Sequence, residues 1–125
     1  LRAHAAGSEW GEMATNPQAK NVERIARLDT ATLSDALDKH GIAGQCLGIK
    51  PVDPKFRLAG RAVTLRYGPV DPAKPGNVGD YIDDIEPGSV LVLDNAGRFD
   101  MTVWGDILTL VAHRTGVAGT VLDGP

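Results

Sequence analysis

Four consecutive residues near the end of the chain combine groups that can bind and orient a small anion. They are Gly105, Asp106, Ile107 and Leu108, and they open a predicted helix. The free amides and the positive dipole end of a helix N-terminus favour an anion. Gly105 would let another group approach the backbone closely, and the Asp106 carboxylate sits beside the next two amides. The same acid can be only a cap or a dipole partner, so both interpretations stay open.

A strand–helix–strand pattern over residues 88–125 places these four residues. Residues 90–93 form a continuous apolar run, typical of a strand buried on both faces, and a second apolar run spans 117–122. Between them, apolar residues recur at helical spacing, at Met101, Trp104, Ile107, Leu108, Leu110 and Val111. So short a span predicts a right-handed βαβ unit. Its 95–100 loop would then lie at the carboxyl end of the first strand, the edge where open α/β sheets bind ligands.

The alternation of polar and apolar residues over 61–67 predicts a further strand with one face in the core. We therefore expect an α/β domain with strands near 61–67, 89–94 and 118–123 and a helix near 101–115. The two strands of the βαβ unit should be adjacent and parallel. Residues 77–85 predict a short acidic helix, whose acids we interpret as a solvated face because their spacing matches no calcium loop.

Two short amphipathic helices are predicted ahead of this sheet. The second begins either at a Thr32-x-x-Asp35 capping box or at the Asp29-Thr30 pair, and Gly41 ends it. Asp35 is interpreted as a first-turn acid favoured by the helix dipole. Residues 1–16 are expected to be a flexible extension, and residues 17–125 one domain.

Composition narrows the class of protein. The chain has 125 residues, 42% of them hydrophobic, and a net charge of −3. The length is enough for one domain. The negative net charge gives no basic surface for binding nucleic acid or an anionic membrane. No apolar run approaches the ~20 residues of a membrane-spanning helix. A single cysteine, Cys46, is expected to pack as a small hydrophobe and indicates a reducing, cytoplasmic setting.

The sequence lacks the motifs of several common enzyme classes. It contains no GxGxxG, no Walker A loop, no GxSxG and no HExxH. The three histidines are scattered, and His40 and His113 fall near predicted helix C-termini, where an interaction with the helix dipole explains them more simply. Hydrolase triads and zinc enzymes are therefore poor fits.

Four segments in order resemble the RraA-like family. They are LDTATLSDALDKHG at 28–41, RAVTLRYG at 61–68, PGSVLVLDNAG at 87–97 and WGDILTLVAHRTGVAGTVLDGP at 104–125. The family includes 4-hydroxy-4-methyl-2-oxoglutarate aldolases and the regulator of ribonuclease E activity. The resemblance implies a compact α/β/β/α sandwich that assembles as a homotrimer, or as a hexamer of two trimers.

For the aldolase branch, the resemblance implies a class II enzyme that uses Mg²⁺ or Mn²⁺ and cleaves a small 2-oxo acid to pyruvate, with oxaloacetate decarboxylase activity. Asp106 matches the acid that holds a metal-bound water in the outer shell. Ile107 and Leu108 match the positions whose backbone amides bind the pyruvyl carboxylate, next to Gly105. The family's Arg-Asp pair, which binds substrate and ligates the metal, is expected beyond Pro125, so the domain is expected to be incomplete at its C-terminus and this chain inactive alone.

Two other functions remain open at this point. One is a non-enzymatic regulator that docks on a protein partner, for which an acidic surface would suit a basic segment. The other is a pseudoenzyme or small-molecule binder on the same fold. The WGD sequence at 104–106 resembles the aldolase branch more closely, and the residues after Pro125 would discriminate among the three.

Overall fold

The computed structural model describes residues 17–74, 76 and 79–124. The helices are α1 (Pro17–Ile25), α2 (Thr30–Lys39) and α3 (Asp106–Thr115), with a short 3₁₀ helix at Ile82–Asp84, and the strands are β1 (Ala62–Arg66), β2 (Val90–Asp94) and β3 (Gly119–Asp123). The chain divides into two compact units between Gln45 and Cys46. Each unit is described by itself.

The N-terminal unit holds α1 and α2. Asp29 is the N-cap of α2, and its side chain accepts a hydrogen bond from Thr32 N at 2.7 Å. Of the two caps that the sequence allows, the Asp29-Thr30 pair is thus the one used. Gly41 follows the end of α2 with a φ of +66°, the left-handed conformation that stops a helix. Gln45 Nε2 donates to Asp38 Oδ1 at 2.7 Å, which ties the following segment back to α2.

The C-terminal unit contains a three-stranded parallel sheet in the order β1-β2-β3. The predicted βαβ unit is confirmed, because β2 and β3 are adjacent, parallel and joined through α3. The register aligns the last residues of the three strands in one row, Arg66 beside Asp94 and Asp94 beside Asp123. The carboxyl edge of the sheet is therefore lined by one cation and two carboxylates.

The core of this unit lies between the sheet and α3. Leu91 of the central strand is fully buried and clusters with Ala112 of α3 and Ile82 of the 3₁₀ helix. Partly buried apolar side chains complete the cluster, namely Val63, Leu65, Tyr81, Ile85, Trp104, Leu108, Val111 and Val117. The unbroken apolar sequence of β2 is explained by burial on both faces of the strand, because successive side chains point to opposite faces and all of them are buried or partly buried.

A glycine sets where α3 ends and β3 can begin. Gly116 has a φ of +79°, and Val117 N donates to Ala112 O at 2.9 Å, as in the Schellman ending of a helix. Ala118 N then donates to Ser89 O at 2.8 Å, at the start of the paired strands. The turn therefore delivers the chain directly into register with β2.

Several details differ from the sequence predictions. The acidic segment 77–85 forms only the short 3₁₀ helix, and part of it, like residues 1–16, lies outside the described residues. Cys46 is exposed within its unit, so the expectation that it packs as a hydrophobe is wrong. The predicted α/β class itself is confirmed, with one parallel sheet in the described residues. None of the helices that the structure describes is long and apolar enough to cross a membrane.

Candidate functional site

The candidate site begins at the first residue of α3. Asp106 is exposed there, and its Oδ1 accepts a hydrogen bond from Ile107 N at 2.9 Å. Gly105 precedes it as the N-cap, with an extended backbone at φ −157° and ψ −171° and no side chain to cap the helix. The carboxylate of Asp106 therefore partly neutralises the helix start that it was expected to share with a ligand.

The helix begins at Asp106 and not near residue 101, so the predicted start is wrong. Trp104 Nε1 donates to Thr109 Oγ1 at 2.9 Å, and Thr109 Oγ1 in turn donates to Gly105 O at 2.7 Å. The first backbone hydrogen bond of α3 is donated by Thr109 N, also to Gly105 O, at 2.9 Å. The apolar spacing from Met101 misled the prediction because Trp104 packs on the same core as the helix while lying outside it.

The two residues expected to bind an anion through their amides have different surroundings. The side chain of Ile107 is 74% exposed, whereas Leu108 packs into the core and lies against Gly79, where an added Cβ would be 3.1 Å from Leu108 Cδ2. Both amides precede Thr109, so they belong to the first turn, whose N–H groups find no carbonyl within the helix. The core contact of Leu108 fixes the orientation of this turn.

Aligned acids at the carboxyl edge hold the loop that leads to α3. Asp94 Oδ1 accepts from Ala96 N at 2.9 Å and Asp94 Oδ2 from Arg66 Nε at 2.6 Å. These two hydrogen bonds, the backbone one first, lower the pKa of Asp94. Asp123 Oδ2 accepts from Gly97 N at 3.1 Å, which joins the end of β3 to the same loop.

The loop itself is built around Asn95, which is fully buried. Its Nδ2 donates to Arg98 O at 3.3 Å and to Met101 O at 3.1 Å. Ala96 and Gly97 both have positive φ, +54° and +63°, and Arg98 N donates to Asn95 O at 3.2 Å, a combination typical of a type I′ turn. The sequence pattern predicts a loop over 95–100 but does not single out Asp94 and Asn95. The signal that could have identified this loop was an acid and an amide directly before Ala-Gly at the end of a strand.

Beside this edge, an open cleft of about 400 Å³ is lined by Thr64, Leu65, Arg66, Val92 and Asp94. Its lining residues do not include Asp106. Close by in sequence, Tyr67 donates its hydroxyl proton to the hydroxyl of Tyr81 at 3.2 Å. Burial raises the pKa of Tyr81 well above its ordinary value, so this phenol stays neutral.

A directly coordinated divalent metal needs several oxygen or nitrogen ligands grouped around one point. In the part of the chain that the structure covers, no three His, Cys, Asp or Glu side chains lie close enough to hold an ion. Asp106 Oδ2 makes no hydrogen bond to any described residue, so it is free to accept one from a water. These residues fit a water-mediated contact to Mg²⁺ or Mn²⁺ and do not by themselves form a direct coordination site.

The geometry defines an α/β protein in which α3 follows the carboxyl edge of a parallel sheet and begins at the exposed Asp106. The family described as RraA-like, Aldolase/RraA, matches residues 30–125. The chain therefore belongs to the RraA-like family, as the sequence resemblance predicts.

Two curated proteins share this region. Protein DlpA of Legionella pneumophila is 41% identical over 107 residues, which cover 82% of this chain and 17% of that protein. A protein of Halalkalibacterium halodurans named "Putative 4-hydroxy-4-methyl-2-oxoglutarate aldolase" is 29% identical over 103 residues, which cover 82% of this chain and 47% of that protein. The chain thus spans less than half the length of either curated relative.

Solved structures match the fold. A crystal structure of an uncharacterized protein from Pseudomonas syringae pv. tomato superposes with a TM-score of 0.77 at 46% identity, covering 87% of this chain and 49% of that one. Streptomyces coelicolor RraAS2, described as an unusual member of the RNase ES inhibitor RraA protein family, gives a TM-score of 0.77 at 29% identity, covering 87% and 56%. These matches support the α/β architecture of the described residues.

Proposed function

We propose that the complete protein is a divalent-metal-dependent class II aldolase that cleaves substrates of the 4-hydroxy-4-methyl-2-oxoglutarate type to pyruvate, with oxaloacetate decarboxylase activity. The observation that carries the proposal is the exposed carboxylate of Asp106 beside the first-turn amides of α3. Membership of the RraA-like family and the aldolase name of the H. halodurans relative support it.

The first task of the site is to bind the substrate carboxylate. In the proposed mechanism, the amides of Ile107 and Leu108 donate to one carboxylate of the 2-oxo acid, and the helix dipole favours its charge. Asp106 Oδ1 uses the Ile107 amide in the present structure. A substrate carboxylate would therefore have to displace that oxygen, and the displaced carboxylate would be free to orient a water at the reacting end.

The second task is to stabilise the charge that develops when the carbon–carbon bond breaks. Removal of the 4-hydroxyl proton lets that bond break and leaves the electron pair on pyruvate as an enolate, which is then protonated. A divalent ion supplies Lewis-acid stabilisation of this charge when it is bound. The contribution of this chain is Asp106, which would hold the ion through water, and the helix amides, which fix the substrate relative to it.

An assay of pyruvate release tests this proposal directly. The protein is used in its longest form, with residues beyond Pro125, because the relatives that it matches are much longer. We expect pyruvate release from 4-hydroxy-4-methyl-2-oxoglutarate or from oxaloacetate, abolished by EDTA and restored by added Mg²⁺ or Mn²⁺. Absence of release from both substrates, or release that EDTA does not affect, would contradict it.

The same proposal includes assembly as a homotrimer or a hexamer. On α3, Ile107 is 74% exposed and Leu110 is 50% exposed, so the start of this helix presents apolar surface. A neighbouring copy covering this surface would bring a second chain to the candidate site. Light scattering of the full-length protein should give three or six times the chain mass, and a monomeric mass at micromolar concentration would exclude this assembly.

A regulator of a ribonuclease is the second candidate function. The fold match to RraAS2, which is described as belonging to an RNase ES inhibitor family, favours it. If the protein acts in this way, it should slow RNA cleavage by ribonuclease E without any metal-dependent release of pyruvate. Inhibition of cleavage and aldolase activity can therefore be measured on the same preparation and separate the two functions.

A further inference from the structure

Asn95 holds the loop between β2 and α3 from inside. Its side chain is fully buried, and its Nδ2 donates to the carbonyl oxygens of Arg98 and Met101. These two contacts use both amide protons of the side chain and therefore fix which end of the amide is nitrogen. The loop after the turn is thus fastened at two points to one buried group.

Two unfavourable features lie at this place. Asn95 Oδ1 is buried and has no hydrogen-bond partner among the described residues. The next residue, Ala96, has a φ of +54°, a left-handed conformation that disfavours a residue with a Cβ. A leucine of similar size would leave no unpaired acceptor at position 95. Unfavourable features of this kind concentrate where the shape of a loop matters for function.

The same residue links this loop to the end of β3. Asn95 N donates to Asp123 O at 3.2 Å, and Asp123 Oδ2 accepts from Gly97 N at 3.1 Å. Gly124 lies so close that an added Cβ would be 2.9 Å from Arg98 O and 3.2 Å from Asn95 Nδ2. The strand end and the loop are therefore in close contact through Asn95, and Met101, one of its two acceptors, lies five residues before Asp106.

We propose that Asn95 is a positioning residue of the candidate site, which sets the path of residues 98–105 and so the place of the α3 start relative to the end of β3. The functional role of the positioned groups, Asp106 and the first-turn amides, rests on the proposed function. It does not require Asn95 to touch a substrate or a metal.

The variant Asn95→Leu tests the proposal because it separates loop order from overall stability. It removes the two donors that hold the loop and also removes the unpaired oxygen. We expect the amides of residues 97–105 to exchange with deuterium at least 10-fold faster, while amides of β1 and β2 keep their wild-type protection.

Binding provides the functional readout. With Mg²⁺ present, the affinity of the full-length protein for oxalate, a planar dianion shaped like a pyruvate enolate, should fall at least 10-fold in Asn95→Leu. Asp83→Asn, which changes an exposed acid on the 3₁₀ helix, should change neither loop exchange nor affinity. If the wild-type protein does not bind oxalate, the proposed function is in question, while the exchange measurement still decides whether Asn95 positions the loop.

Gly124→Ala disturbs the same contact from the strand side and serves if Asn95→Leu does not fold. The added methyl group must push against Arg98 O, and the φ of +117° at Gly124 adds backbone strain at the same point, so we expect the same local rise in exchange over residues 97–105. Wild-type exchange in this loop in either folded variant would overturn the proposal. A uniform loss of protection across the sheet, or failure of both variants to fold, would also overturn it, because Asn95 would then serve the unit as a whole.

Discussion

The carboxylate of Asp106 and the backbone amide of Ile107 are hydrogen-bonded to each other, with 2.9 Å between Oδ1 and N. The resemblance to the aldolases gives these two groups separate partners, a metal-bound water and a substrate carboxylate. In the structure, the Asp106 carboxylate instead accepts the hydrogen bond of the Ile107 amide. Substrate binding and release of the Asp106 side chain would therefore be linked, since one anion must replace another at the helix start.

This relationship makes Asp106→Ala an informative variant. We expect the rate of pyruvate release to fall about 10- to 100-fold, because a water at the site loses the group that orients it. The free energy of unfolding should fall by ~1 kcal/mol or less, since an exposed first-turn acid contributes little. The affinity for oxalate should fall less than the rate, because the Ile107 amide becomes free. Wild-type activity at saturating metal would show that Asp106 is only a cap.

Gly105→Ala tests whether a ligand approaches the helix start closely. An added Cβ would meet no atom within 4 Å, and the extended backbone suits any residue, so the variant should be as stable as the wild type within about 0.5 kcal/mol. If a substrate lies against this backbone, KM should rise several-fold with an unchanged fold. Thermal unfolding and steady-state kinetics of one preparation check both outcomes. An unchanged KM would mean that the substrate does not contact Gly105.

Ala96→Gly should stabilise the protein. Ala96 has a φ of +54°, which glycine adopts without the Cβ clash, although glycine has more conformational freedom to lose on folding. The net gain should be ~1 kcal/mol or less. Denaturant unfolding measures it. Ala112→Gly, at a buried helical position of α3, is the matched control and should destabilise. Destabilisation by Ala96→Gly would show that the left-handed conformation is not strained.

The pKa of Asp94 predicts how stability depends on pH. Hydrogen bonds from Ala96 N and Arg66 hold the pKa of this carboxyl below its ordinary value near ~4. At a pH between the folded and the unfolded pKa of Asp94, the unfolded chain binds more protons than the folded one. The contribution of Asp94 to the free energy of unfolding is therefore complete above about pH 4 and is lost as the pH falls below it. Asp94→Asn keeps an acceptor for Ala96 N but cannot titrate. Its unfolding free energy should decline less steeply with acid than that of the wild type, and parallel curves would contradict this.

The sequence predicted the strands more accurately than it predicted the start of α3. The runs that became β2 and β3 and the alternation that became β1 were correct to within about one residue, because sheet periodicity is local and strong. The start of α3 was misplaced by five residues. Trp104 satisfies the apolar period of the helix, yet its indole instead donates to Thr109 and leaves the helix to begin at Asp106. The ends of a helix depend on such individual contacts, and the apolar periodicity of the sequence does not predict them.

The sequence by itself determined the parallel βαβ unit, the family and the identity of the groups at the helix start. These follow from apolar periodicity, from the handedness of short crossovers and from residues adjacent in the chain. Only the tertiary structure decided that Asp94, Asn95 and Asp123 hold one loop, because the register brings together residues 26 or more positions apart. It also decided that the Asp106 carboxylate accepts a hydrogen bond from the Ile107 amide. The direction of the Asp106 side chain depends on the backbone conformation of Gly105 and the preceding loop, which the sequence does not specify.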